Sequence, residues 1–289
     1  MVAPALGDAL GPRGRRRALI SSVVAMAVIA FVIYAALKRF AEAGQLDWDK
    51  WEPLTQREVI RFFGQGLLNT LQAASLSLVA ATVFGMVLAL GRLSPLLPVR
   101  TAARAYVEFF RGFPLILLIV FSFFTLPRLG IELTRFWSVC VALILYNSAV
   151  LGEIFRAGIL SLDRGQTEAA SAIGLRRGQA MRLVILPQSI RRMTPTIVSQ
   201  FVTLLKDTSL AFVVGYEELL RTGQIAGEFY KNGLQSLIAV AVIFLLVNFA
   251  LSRVARRLEL RQRRRYKADP IAVAAGPEDL VATGLVDRR

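Results

Sequence analysis

The chain has 289 residues, of which 55% are hydrophobic, with a mean hydropathy of +0.54 and a formal charge of +15. Several apolar runs approach the ~20 residues that cross a ~30 Å hydrocarbon core, which excludes an ordinary soluble domain. The sequence has no histidine and one cysteine, Cys140, so histidine acid–base chemistry, histidine metal ligands and an intrachain disulfide are excluded.

Six apolar segments follow in chain order. A runs from Ala18 to Leu37, B from Leu67 to Leu90, and C from Phe113 to Leu126. D runs from Phe136 to Ile154, E from Thr194 to Val214, and F from Leu234 to Leu251. Segment A follows Arg13, Arg15, Arg16 and Arg17, and Ala41-Glu42-Ala43 resembles a signal cleavage site. Its length of about 20 residues exceeds the ~7–15 of a signal core, so it reads as an uncleaved first span. The expected fold is all-α and polytopic, with six transmembrane helices. The parts are a basic N-terminus (1–17), a first helix (18–40), an external loop with Trp48 and Trp51 (41–64), a membrane domain (65–256) and a tail without packed structure (257–289).

The cations lie beside the apolar runs, not among base-stacking aromatics, which argues for topology and against nucleic acid. With both termini cytoplasmic, 25 of the 35 lysines and arginines fall inside and nine outside, leaving Lys206 within E. Shifting the topology by one span inverts this asymmetry. Glu153 and Arg156 near the end of D, and Glu108 and Arg111 ahead of C, are spaced i, i+3 and read as local ion pairs. Gly112 and Pro114 fit a helix start.

The stretch 161–187 between D and E carries the clearest signal. A short helix is expected from Gln166 or Thr167, with Ala169, Ala170 and Ala172 forming a smooth face. Gly174 suits the left-handed position that ends a helix. A second helix, with arginines on one side, runs to Pro187, which is expected to bend the chain into E. Two short helices at the cytoplasmic surface would form a rigid knob.

Glu168-Ala169-Ala170, three residues, Gly174, nine residues, then Val184-x-Leu186-Pro187 resembles the EAA loop of permeases from binding-protein-dependent ABC importers. Valine at 184 departs from the isoleucine of the strict pattern. Tyr106–Leu115, Leu151–Ile159 and Lys206-Asp-Thr-Ser-Leu210 resemble the polar amino-acid branch of that family. The likeness covers roughly Leu67 to Leu251. It implies a five-helix core with segment A added, and cytoplasmic coupling helices in which Glu168, Ala169, Ala170, Gly174, Leu186 and Pro187 dock an ATPase. It also implies two ATPase copies, a second permease subunit (identical or related), an extracellular solute-binding protein, an amino-acid substrate, surrounding lipid and residence in the bacterial cytoplasmic membrane. The sequence has no phosphate loop of the Gly-x-x-x-x-Gly-Lys-Ser/Thr type, so ATP belongs to the partner and no cofactor or catalytic site is expected here.

Lys206 and Asp207 lie within segment E, where an unshielded charge costs at least about 2.5–3.5 kcal/mol. With Thr208 and Ser209 they either line the translocation path or bond to neighbouring helices. Asn147 and Ser148 in D either contact substrate or bond between helices, the second being the commoner role. An acidic amino acid such as glutamate or aspartate is the expected substrate, with glutamine and basic amino acids as alternatives. An ion-coupled secondary transporter is the rival reading, and it leaves the docking loop unexplained.

Overall fold

A computed structural model describes residues 11–267, and every regular element in that range is helical. Five helical stretches are long and apolar enough to cross a membrane: Gly14–Glu42, Arg57–Arg92, Arg135–Leu160, Arg177–Val214 and Gly233–Arg257. A sixth is counted when Leu97–Gly112 and Leu115–Phe124, bent by 100° at their junction, are taken together.

Helix α1 (Pro12–Glu42) carries segment A. Its apolar side chains stand free of the bundle, with Phe31 69% exposed. That surface suits hydrocarbon, which costs an apolar helix nothing. Helix α2 (Trp48–Trp51) and a 3-10 turn (Glu52–Thr55) follow. Segment B belongs to α3 (Arg57–Arg92), ten residues longer at its start than its apolar run.

Segment C holds only the short apolar helix α5 (Leu115–Phe124), and the amphipathic helix α4 (Leu97–Gly112) leads into it. Ten residues span about 15 Å, too short to cross alone. Pro114 enforces the break, because the residue before proline is driven out of the helical region; Phe113 sits at φ −88°, ψ 133°.

Segment D is α6 (Arg135–Leu160), begun by Thr134, whose hydroxyl accepts the Trp137 N–H. It packs along α3 at a contact where glycine is required. A Cβ on Gly85 would lie 2.9 Å from the Ser148 carbonyl oxygen, and one on Gly152 would lie 3.3 Å from that of Gly85. Leu151, Leu143 and Ala81 are fully buried around this crossing.

The docking stretch holds α7 (Arg164–Ala172) and α8 (Arg177–Ala180). A wide π-turn (Met181–Ile185) then leads directly into α9 (Leu186–Asp207). This corrects the expected bend at Pro187. The proline sits in the first turn of α9, where its missing N–H is tolerated, and the helical path runs on from Arg177 to Val214. A 3-10 stretch (Thr208–Val214) closes segment E.

Helix α10 (Leu219–Phe229) replaces what the sequence suggested was plain loop. Its glycines are packing positions: a Cβ on Gly223 would meet Val240 Cγ2 at 2.3 Å, and one on Gly227 would meet Gly233 Cα at 2.7 Å. Glu218 caps α10, its carboxylate accepting the N–H groups of Leu220 (2.7 Å) and Arg221 (2.8 Å). Burial pushes this carboxyl up to about 7, against the lowering effect of the two N–H bonds.

Helix α11 (Gly233–Lys267) carries segment F and runs well past it. Residues 257–267 are therefore helical, where the tail was expected to lack structure. The remainder of that tail lies outside the described residues. At the far end from the docking stretch, Lys50 Nζ donates to the Lys231 carbonyl (3.0 Å) and Asn232 Nδ2 to that of Lys50 (2.9 Å). These bonds, with one from Gln235 to the Gln45 carbonyl, tie the linker after α1 to the α10–α11 turn.

Candidate functional site

The knob forms from local chemistry. Asp163 caps α7, its carboxylate accepting the Gly165 N–H at 2.8 Å. At the other end Gly174 adopts φ +81°, the left-handed conformation. The Gly174 N–H donates to Ser171 O (3.0 Å) and the Leu175 N–H to Ala170 O (3.1 Å), the paired bonds of a Schellman stop. The helix begins two or three residues earlier than expected because the Asp163 carboxylate supplies the cap.

Glu168 therefore sits in the interior of α7, exposed, with no ion pair among the described residues. Ala169 is exposed beside it, while Ala170 turns inward at 3% exposure. Ile173, unremarked in the sequence reading, is 76% exposed at the tip. An apolar residue left out on a polar loop was a detectable signal for a contact surface. Leu186 and Pro187 lie at the start of α9, and Gln188 Nε2 donates to Gln166 Oε1 (2.9 Å), fastening the knob to that helix. Arg192 donates to Ser161 O (3.0 Å) and Arg177 to Leu93 O (3.3 Å).

Beneath the knob lies a charge cluster that sequence spacing revealed only in part. Glu153 binds Arg156 at 2.6 Å, the expected pair, and also binds Arg92 from the end of α3. Arg111, expected to pair with Glu108, instead reaches Glu153 at 3.8 Å, and Glu108 pairs with Arg104 at 3.9 Å. The difference follows from orientation: Glu108 lies on the exposed face of α4, whereas Arg111 lies at its end toward α6.

Along α9, Arg192, Thr196, Ser199, Thr203 and Lys206 are all exposed at spacings of three and four. This repeat places them on one face. The sequence reading singled out only Lys206 because an apolar window averages such a stripe away; helical periodicity would have exposed it. Lys206 and Asp207 form no ion pair or side-chain hydrogen bond among the described residues. Thr208 is fully buried and its hydroxyl donates to Leu205 O (2.7 Å), while Ser209 donates to Lys206 O (2.6 Å). Asn147 is fully buried in α6, donates to Leu143 O (2.9 Å) and accepts from Gln200 Nε2 of α9 (2.9 Å). Ser148 and Tyr106 share a contact of 3.1 Å between α6 and α4.

An all-helical membrane bundle with a capped helical knob projecting from one end is the architecture of a transporter's membrane subunit. A crystal structure of an amino acid ABC transporter with histidines is 30% identical, with a TM-score of 0.67 over 73% of this chain and 97% of that one. Residues 81–264 match the family described as binding-protein-dependent transport system inner membrane component, and the chain belongs to that family. Curated relatives include the glutamate transport system permease protein GluD of Corynebacterium glutamicum (36% identical over 81% of this chain and 87% of the relative). The probable glutamine ABC transporter permease protein GlnP of Bacillus subtilis is 39% identical over 71% and 96%. The arginine transport system permease protein ArtQ of the same species is 35% identical over 69% and 92%.

Proposed function

We propose that the chain is the permease subunit of an ATP-driven importer of a polar amino acid, with glutamate or aspartate as substrate. The observation that carries the reading is the knob: two short helices around a left-handed Gly174, with Glu168 and Ile173 presented outward. Such a rigid surface suits force transfer from a soluble ATPase. Two ATPase copies and a second permease subunit complete the machine, and a solute-binding protein delivers substrate from outside. The knob and both termini face the cytoplasm, in keeping with the distribution of cations.

The α9 stripe supports a polar cargo. A stripe with Arg192 and Lys206 at its ends is expensive against lipid, so it faces water or protein. The cations at both ends favour an anionic substrate. The knob and the family together leave an ion-coupled secondary transporter without support.

The test is reconstitution in proteoliposomes with the cognate ATPase and binding protein. Uptake of labelled glutamate should require ATP and the binding protein, and Glu168→Arg should abolish co-purification of the ATPase. Uptake of glutamine or arginine instead would correct the substrate alone. Ion-driven uptake without any ATPase would sink the importer reading.

A further inference from the structure

The Glu153 cluster is more than a set of surface pairs. One carboxylate receives guanidinium groups from the ends of α3 (Arg92) and α4 (Arg111), and from Arg156 one turn along α6. The Arg92 side chain is only 12% exposed, so it cannot exchange Glu153 for water cheaply. The cluster lies just beyond the Gly85–Gly152 crossing, where the backbones of α3 and α6 already touch. The three helix ends are thereby held as one body.

The knob is tied to the same point. Arg177 of α8 donates to the carbonyl of Leu93, the residue after Arg92. Arg111 lies immediately before the Gly112–Pro114 break, where the chain turns by 100° into α5. A displacement of the knob thus has a continuous path of polar contacts through α3 to the α4–α5 elbow, which packs into the bundle core through Leu115, Leu118 and Ile119.

We infer that Glu153 is the positioning residue that transmits knob movement to the α4–α5 elbow. This rests on the importer reading above. It makes Glu153 and Arg177 determinants of coupling, distinct from the residues that dock the ATPase.

The experiment uses the assembled complex in nanodiscs, with the ATPase and loaded binding protein. Glu153→Gln keeps shape and removes charge; Arg177→Met removes only the exposed tie to Leu93. Both should still co-purify the ATPase and keep basal hydrolysis. Stimulation by the loaded binding protein, and substrate moved per ATP, should fall about tenfold for Glu153→Gln, within the range of coupling energies between sites, and by a smaller factor for Arg177→Met. A merely structural role would lower yield and leave the ratio of transport to hydrolysis unchanged in the surviving complex, which would overturn the inference. If Glu153→Gln does not assemble, Arg177→Met decides: wild-type coupling in that variant also overturns it. Wild-type complex without ATP-dependent uptake would instead refute the importer reading itself.

Discussion

Gly174 offers a test in which space and backbone conformation can be separated. No heavy atom lies within 4 Å of where its Cβ would stand, so any side chain fits. The φ of +81° is the obstacle. An L-residue in the left-handed region costs roughly 1–2 kcal/mol, a β-branched one is a genuine outlier there, and asparagine is tolerated best. Since about 1.4 kcal/mol is a factor of ten in population, Gly174→Val should leave the Schellman stop formed in a small fraction of molecules. The two bonds to Ser171 O and Ala170 O would go with it. Titrating ATPase onto the purified permease should give an apparent affinity weaker by more than about tenfold for Val, by about fivefold for Ala, and by less than about twofold for Asn. The order matters more than the size. If Val binds as tightly as Asn, the left-handed turn does not set the shape of the docking surface and the reasoning fails.

Other positions give independent checks. Gly227→Ala forces a Cβ to 2.7 Å from the Gly233 backbone, so overpacking of about 1–3 kcal/mol should lower Tm by several degrees; Gly178→Ala, with open space around it, serves as the control and should not. A Gly227→Ala protein as stable as wild type would show that α10 and α11 are not locked together. Lys206→Met should reduce uptake of an anionic amino acid at least about tenfold while assembly stays normal, and full-rate uptake would remove Lys206 from any mechanism. Glu218 holds its proton up to about 7 in the folded protein, above its ordinary value, so the fold binds more protons than the unfolded chain between those limits. Stability contributed by Glu218 is therefore greatest at low pH and declines as pH rises through that window. The Tm of Glu218→Gln relative to wild type should climb between pH 5 and 8, and parallel curves would contradict the burial argument.

What the sequence disclosed was mostly what is local. Apolar runs located the spans because lipid imposes a length, and Gly174 was legible because a helix stop is written within five residues. The start of α7 lies ahead of Gln166 and Thr167 because the Asp163 carboxylate makes the cap. Helix α10 was hidden because no apolar run marks it; Gly223 and Gly227 allow its close approach to α11. Arg92 could not be found by spacing as a partner of Glu153, since it is 61 residues away and only the α3–α6 crossing brings it near. The same holds for Asn147 and Gln200, which are 53 residues apart. Pro187 does not bend the chain because it falls in the first turn of α9, directly after the π-turn.

The helical path from Arg177 to Val214, with Pro195 inside it, makes α8 and α9 a lever. At Met193 it sits close against α6, the methionine sulfur occupying the space a Cβ on Gly158 would need. At 1.5 Å per residue the arm from Met193 back to Arg177 is about 24 Å and the arm out to Lys206 about 20 Å. A rod pivoting there turns a push at the knob into an opposite swing of similar size at Lys206. The fulcrum depends on one glycine being small enough to let a methionine sit against the α6 backbone.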